Sequence, residues 1–363
     1  MRVLVVGPDR DDPGGVANYY NAVFPRLCSL SVEAHYLEIG STKSGGGLFN
    51  ALSDQCHYWR TLGQFDPEIV HLNPSLDFKS FIRDGMFILL GKLRSRKILV
   101  FFRGWQKPFE ARIQGLLRFF FSITYQRADG FIVLAKEFAN ALEGWGVTAP
   151  IALGTTTVDD KLLAGFSIQS SAEDISRTET IRLLYLARLE RDKGVLELAD
   201  AVETLVNSGL NVSLTIAGTG PATDELKSRV ESMGKNQAAI SLVGYVRGEN
   251  KAAVFRSHHI FCFPTQYGEG MPNAVLEAMA FGLPVLTCPV GGIADFFEDG
   301  KMGSLVNNPS SRSIANSISG LIKNRAELRA MANYNYTYAQ RHFLASTVAK
   351  FLRDRYADMS AAS

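Results

Sequence analysis

Short apolar runs bounded by Gly, Pro, Asn or Asp alternate along the chain with longer stretches in which apolar residues recur at helical spacing. Such alternation is the pattern of parallel sheets covered by helices. In the first half the runs "RVLVVG", "VEAHYLEI", "EIVHLN", "KILVFFR", "GFIVLA" and "PIAL" read as strands, with helices fitting between them. The polar stretch "SIQSSAEDISRTET", 167–180, interrupts the alternation, and "IRLLYLA", "VSLTIAG", "ISLVG", "IFCFPT", "PVLTCP" and "GSLV" resume it. The prediction is an α/β protein of two facing Rossmann-like, doubly wound domains, 1–166 and 167–340, followed by a helical segment, 341–363, that packs back on the first. Open sheets of this kind take ligands beyond the carboxyl ends of their strands, so the chemistry is expected in those loops, in a cleft lined by both domains.

Composition narrows the class. With 46% hydrophobic and 20% charged residues the chain reads as soluble and globular, and a net charge of +2 gives no reason to expect a nucleic-acid partner. Cys28, Cys56, Cys262 and Cys288 form no CxxC pair and two lie in strand-like runs, which suits buried thiols in a reducing compartment. The N-terminus "MRVLVVGPDR" goes straight into a strand and lacks the plan of a signal peptide. The greasiest segments, "FILLGKL" and "LLRFFFSITY", are cut by glycine or charge well short of a membrane span, so the expected location is the cytoplasm.

The loops supply candidate chemistry. In "PTQYGEGMPNAVLEAMAFGLPV", 264–285, Glu269 and Glu277 stand eight positions apart around the start of a predicted helix. Pro272 suits the first helical turn, and the amides from Gly270 through Met271 to Asn273 would form an anion site fit for a diphosphate. Two acids flanking such a site could accept hydrogen bonds from sugar hydroxyls at both ends of a nucleotide sugar; an ordinary capped helix with one exposed acid fits the spacing equally well. "LARLERDKG", 186–194, offers Arg188 and Lys193 at the mouth of the next sheet, where two cations could neutralise a departing diphosphate or simply be solvated. In "IAGTGPATDEL", Gly218 and Gly220 could let backbone approach a ligand or make a plain tight turn. Gly14 and Gly15, after the first strand, could admit a phosphate or sugar, but they do not form the GxGxxG of a dinucleotide site. Asp9 and Asp11 could be taken for a metal-binding pair of carboxylates, but Asp11, Asp12 and Pro13 read in preference as an ordinary polar turn, and no metal or cofactor is expected.

Taken in order, "LARLERDKGVLELADA", "LTIAGTGP", "ISLVGYV" and "FCFPTQYGEGMPNAVLEAMAFGLPVLTCPVGGIADFFEDGKMGSLV" resemble the retaining glycosyltransferases of family 4, hexosyltransferase-type enzymes of the GT-B fold. The resemblance covers most of the chain and is strongest from about 181 to 306. It implies that Glu277 holds the donor ribose, that Arg188 and Lys193 bind the diphosphate, and that Glu269 sits at the transferred sugar. Gly15 would line the phosphate side, backbone near Tyr245 and Val246 would meet the base, and "IALGTTTVDDKLLAGF" is similar to the segment that enters the family's linker. Gly291 and Gly292 match, with Asp295 where glutamate is usual. One departure stands out: the family's histidine before a glycine is here Arg103 before Gly104, in "FFRGW". Arginine cannot act as a base near neutral pH, but it could bind a hydroxyl or an anionic acceptor group, or support the loop. Members retain anomeric configuration and generally need no metal. A front-face route, with Glu269 positioning the sugar and stabilising positive charge, is preferred here over double displacement.

From Lys79 to Arg127 eleven basic residues face two acids and are interleaved with aromatics, a composition that fits both an anionic-lipid surface and an aromatic core under a solvated cationic face. A UDP- or GDP-linked donor and a glycan acceptor, in a polyprenyl-linked form where the membrane reading holds, are the expected partners. The expected setting is bacterial surface polysaccharide or lipopolysaccharide assembly. The rival readings are a nucleotide-sugar-binding protein that has lost catalysis and a nucleotide-sugar epimerase on the same fold.

Overall fold

The computed structural model describes residues 1–11, 14–40, 48–268 and 270–361. They divide into two compact units, Met1–Thr157 with Ala345–Ser363, and Val158–Leu344.

The first unit is built on strands β1 (Arg2–Gly7), β2 (Glu33–Glu38), β3 (Ile69–Leu72), β4 (Lys97–Phe101), β5 (Gly130–Val133) and β6 (Ile151–Leu153), all parallel, in the order β2-β1-β3-β4-β5-β6. β1 explains itself: Val3 to Val6 are β-branched or Leu and all are buried, as a strand covered on both faces requires. The strand order reverses beside β1, which pairs with β2 on one side and β3 on the other, so Val5 stands opposite both Tyr36 and His71. The helix Ala345–Ala361 belongs to this unit: it packs against the helix Gly15–Ser29, and its buried Tyr356 lies 2.6 Å, through its hydroxyl, from Nδ1 of His71.

The second unit holds β7 (Ile181–Leu186), β8 (Val212–Ala217), β9 (Ile240–Gly244), β10 (Ile260–Phe263), β11 (Val285–Thr287) and β12 (Gly303–Leu305), again all parallel, in the order β9-β8-β7-β10-β11-β12. This is the doubly wound order whose reversal, between β7 and β10, marks the usual ligand crevice. Its core is continuous: the helix Val195–Asn207 buries Val195, Leu198, Ala199, Val202 and Leu205 at three- and four-residue spacing against the sheet.

The boundary between units falls at Thr157/Val158, ahead of the polar stretch 167–180. That stretch is mostly a helix of the second unit, Ile168–Arg177: Ser167 caps it, its hydroxyl accepting from the Ser170 amide at 3.3 Å, and Ile168 and Ile175, two turns apart, supply a narrow buried stripe. Polarity there marks a helix with one wet face. The thiols also divide differently from expectation. Cys262 in β10 and Cys288 just after β11 are buried, and burial pushes Cys288 up to about 12, but Cys28 and Cys56 sit on the exposed faces of helices.

Candidate functional site

In the second unit the loops after β7, β8 and β10 meet at the carboxyl edge of the sheet. The Gln266 amide donates to the Asp192 carbonyl at 2.9 Å, tying the loop of Arg188 and Lys193 to the loop that precedes the helix Asn273–Ala280. Lys193 lies in a single 3-10 turn, Arg191–Lys193, with its ammonium 5.3 Å from the Tyr267 ring. Arg188 is about two-thirds exposed and pairs with Glu190 at 3.3 Å. Between these loops lies a cavity of about 350 Å³ lined by Glu190, Arg191, Asp192, Pro221, Ala222 and Tyr267. Glu269 lies outside the described residues, as do Asp12 and Pro13 of the polar turn.

The helix after β10 opens one residue later than its sequence predicts. Pro272 has extended backbone (φ −73°, ψ 117°) and is the N-cap, so the helix proper begins at Asn273; a proline there contributes no amide and no capping side chain. The Val275 amide folds back to the Pro272 carbonyl at 3.1 Å, which leaves the amides of Asn273 and Ala274 without intrahelical acceptors. Gly270 and Met271 precede the helix, and the Gly270 carbonyl accepts from the Gly292 amide at 2.7 Å, linking the glycine pair after β11 to this loop; Asp295 follows in the short helix Ile293–Phe296.

Glu277 lies one turn into that helix and is 8% exposed. Its partner is Lys251, from the helix Gly248–Arg256, whose ammonium stands 2.6 Å from each carboxylate oxygen but is aligned for a hydrogen bond only to Oε1. Burial raises the Glu277 carboxyl above its ordinary range and Lys251 pulls it back down. Oε2 accepts no hydrogen bond, and neither does the buried Oδ1 of Asn273, four residues earlier and therefore on the same helix face. Lys251 escaped the sequence reading because nothing near "GENKAAV" marks it. The signal available was indirect: a carboxylate buried in the second turn of an apolar helix requires a cation from elsewhere.

The glycines separate into two kinds. Gly218 has φ +147°, and a Cβ there would stand 1.9 Å from the Ala187 carbonyl oxygen. Its need for glycine comes from the neighbouring loop, without reference to a ligand. Gly14 and Gly15 meet nothing within 4 Å of an added Cβ, and Gly14 is extended, so no internal contact demands a glycine at either position. They open the helix Gly15–Ser29, which has no capping side chain. Tyr245, just beyond β9, is 75% exposed, and Val246 beside it is half-buried.

In the first unit Arg103 follows β4, with its guanidinium 3.9 Å from the Tyr19 ring centroid and 4.3 Å from that of Phe101. Gly104 pairs with Ser75 in a short bridge of two residues a side, Ser75–Leu76 with Gly104–Trp105. Three of the eleven cations of the segment 79–127 are engaged by acids that the segment itself does not contain: Lys92 with Asp129 at 2.6 Å, Lys107 with Glu137 at 2.7 Å and Arg96 with Asp66. Of its aromatics Phe81, Phe87, Phe109 and Phe121 are core, whereas Phe119, like Phe78 just before the segment, is exposed. Among the described residues no cluster of three or more His, Cys, Asp or Glu is placed to hold a metal ion, and no helix is long and apolar enough to cross a membrane.

Comparison with known proteins bears on the fold and the family. Residues 168–338 match the family described as Glycosyl transferases group 1. A Bacillus subtilis protein named as a teichuronic acid biosynthesis glycosyltransferase, TuaC, is 31% identical over 174 residues, 48% of this chain and 41% of its own. The capsular polysaccharide biosynthesis glycosyltransferase CapM of Staphylococcus aureus is 28% identical over 151 residues, 42% of this chain and 39% of its own. The match thus spans about two-fifths of the length of these relatives. Along nearly the whole chain, the crystal structure of Anabaena HepE in complex with UDP superposes with a TM-score of 0.75 at 15% identity, covering 99% of this chain and 100% of that one. At that identity the likeness shows the fold alone: two Rossmann-like units of the GT-B type.

Proposed function

Starting from the match of residues 168–338 to the group 1 glycosyl transferases, we propose that this chain is a retaining, metal-independent glycosyltransferase that moves a sugar from a nucleotide-diphosphate sugar to a glycan acceptor in bacterial surface-polysaccharide assembly. The observation that carries the reading is the helix Asn273–Ala280, which begins with two amides that lack intrahelical acceptors and carries, one turn apart, the buried Asn273 Oδ1, which accepts no hydrogen bond, and the Glu277 carboxylate, ion-paired with Lys251 but with no hydrogen bond on Oε2. Such amides suit phosphate, and acceptor oxygens with a hydrogen bond still to accept suit hydroxyls; a nucleotide sugar carries both.

In this reading Glu277, held ionised by Lys251, accepts from the ribose hydroxyls. The amides of Asn273 and Ala274 meet the diphosphate, and Arg188 and Lys193 neutralise the charge that grows on it as the glycosidic bond breaks. Tyr245 and Val246 meet the base, Gly14 and Gly15 give the donor room on the first unit, and Glu269 positions the transferred sugar. A donor phosphate oxygen then takes the acceptor's proton on the face the nucleotide leaves, which retains configuration. The relatives named for teichuronic acid and capsular polysaccharide support a glycan acceptor. The exposed apolar residues Leu116 and Phe119, beside Arg112 and Arg118, support a peripheral position on the cytoplasmic face of a membrane.

The test is thermal stability with UDP-, GDP- and ADP-sugars and free nucleotides, in chelator, for the wild type and Glu277→Ala. At a hundred times its dissociation constant a ligand adds about 2.7 kcal/mol, a shift of a few degrees. One nucleotide class should stabilise the wild type strongly and the variant weakly. If no nucleotide stabilises either protein, the donor assignment is wrong.

A further inference from the structure

Arg103 sits where the charge of the first unit does not balance. Its neighbours in sequence have counter-ions: Arg83 has Asp84 at 2.8 Å, Lys92 has Asp129, and Lys107 has Glu137. Among the described residues no carboxylate comes within ion-pairing distance of Arg103. The side chain is half-buried, the faces of its guanidinium lie against the Tyr19 and Phe101 rings, and Nη1 is buried with no hydrogen-bond partner. The uncompensated charge is felt nearby: burial first and Arg103 second push His71 down to about 3.

The position is also rigid. The Arg103 amide donates to the Pro74 carbonyl at 2.9 Å, and Gly104 fits so closely on Ser75 that an added Cβ would stand 2.8 Å from the Ser75 hydroxyl. From the other side Tyr19 comes off the helix Gly15–Ser29, which begins at the open glycine pair after β1. The guanidinium is therefore clamped by two rings at the carboxyl edge of the first sheet, on elements that also carry Gly14 and Gly15. Its stacking faces are taken, and what remains is the in-plane edge, the edge that matches a carboxylate or phosphate.

A half-buried cation without a counter-ion costs stability that a structural role could avoid with a neutral residue. We propose that Arg103 is a specificity-determining residue that receives an anionic group, a carboxylate or a phosphate, carried by the substrate that binds the first unit. This rests on the donor-transfer reading and adds to it a demand for a charged sugar or a charged acceptor. Of the three roles open to Arg103 from sequence, loop support is served already by Gly104 and Ser75, and a hydroxyl would leave the charge unanswered.

The test compares wild type, Arg103→Met and Arg103→Lys by titration calorimetry against UDP, UDP-glucose, UDP-glucuronate, free glucuronate and inorganic pyrophosphate. The thermal midpoint of each variant checks folding, and Arg103→Lys keeps the charge should Arg103→Met be unstable. We expect Arg103→Met to weaken at least one of the last three probes about tenfold or more, with UDP and UDP-glucose unchanged and Arg103→Lys between. Loss on UDP-glucuronate or glucuronate identifies a carboxylate; loss on pyrophosphate identifies a diphosphate-bearing acceptor. Equal binding of every probe to wild type and Arg103→Met overturns the proposal, and so does an equal loss on UDP itself, which would make the anion the donor's own diphosphate. If UDP binds neither protein the donor reading fails, while the free anions still decide on Arg103.

Discussion

Glu277 and Lys251 show how a single pair sets the chemistry of a helix. The folded protein holds the Glu277 proton more tightly than the unfolded chain, because burial disfavours the carboxylate. The ionised form therefore costs stability as pH rises from the unfolded value, about 4.3, through the higher folded one. Lys251 offsets that cost. Lys251→Met should raise the folded value further and lose about 3 kcal/mol at pH 8 but clearly less at pH 5, measured by urea unfolding at the two pH values. An equal loss at both would mean that Lys251 acts through packing alone. Sequence could single out Glu277 because its spacing from Glu269 and the apolar helix around it are local. Its partner lies 26 residues away on another helix, and no local pattern encodes that encounter.

At the scale of the element, the loops after the strands do two jobs that look alike in sequence. Gly218 is a glycine because a neighbouring backbone leaves no space, whereas Gly14 is a glycine with space around it. Gly218→Ala should cost about 3 kcal/mol, from the strained φ and the clash with Ala187 together. Gly14→Ala should leave the urea midpoint nearly unchanged and weaken nucleotide-sugar binding. A Gly218→Ala protein as stable as wild type would show that the loop after β7 moves aside easily. The twelve strands of the two sheets were legible to within two residues because each is a short run bounded by turn residues, and the central ones, such as β1, β3 and β10, are apolar and buried on both faces. The start of the helix at Asn273 and the helix Ile168–Arg177 were less so. A proline serves as N-cap or as first turn according to its ψ, and a two-residue apolar stripe is too sparse to register as helical period.

For the whole molecule, charge counted along the sequence overstates charge presented to solvent. The basic segment 79–127 hands part of its excess to Asp66, Asp129 and Glu137, which flank it in space and lie outside it in sequence. What remains at the turn between the helices Lys107–Gln114 and Arg118–Ile123 is small: Leu116 at 93% exposure, Phe119 at 74%, and the exposed Arg112 and Arg118. Sedimentation with vesicles of anionic lipid at low salt should pellet the wild type and leave Leu116→Asn/Phe119→Asn in the supernatant, and a wild type that stays in solution sinks the membrane reading. The closing helix has a consequence for biosynthesis. Because Ala345–Ala361 completes the first unit while Val158–Leu344 lies between, a ribosome releases the whole second unit before the first can close over His71. The later-coded unit is thus the one able to finish folding first, while the earlier one waits, its sheet begun and the groove for this helix open, until Ala345–Ala361 emerges.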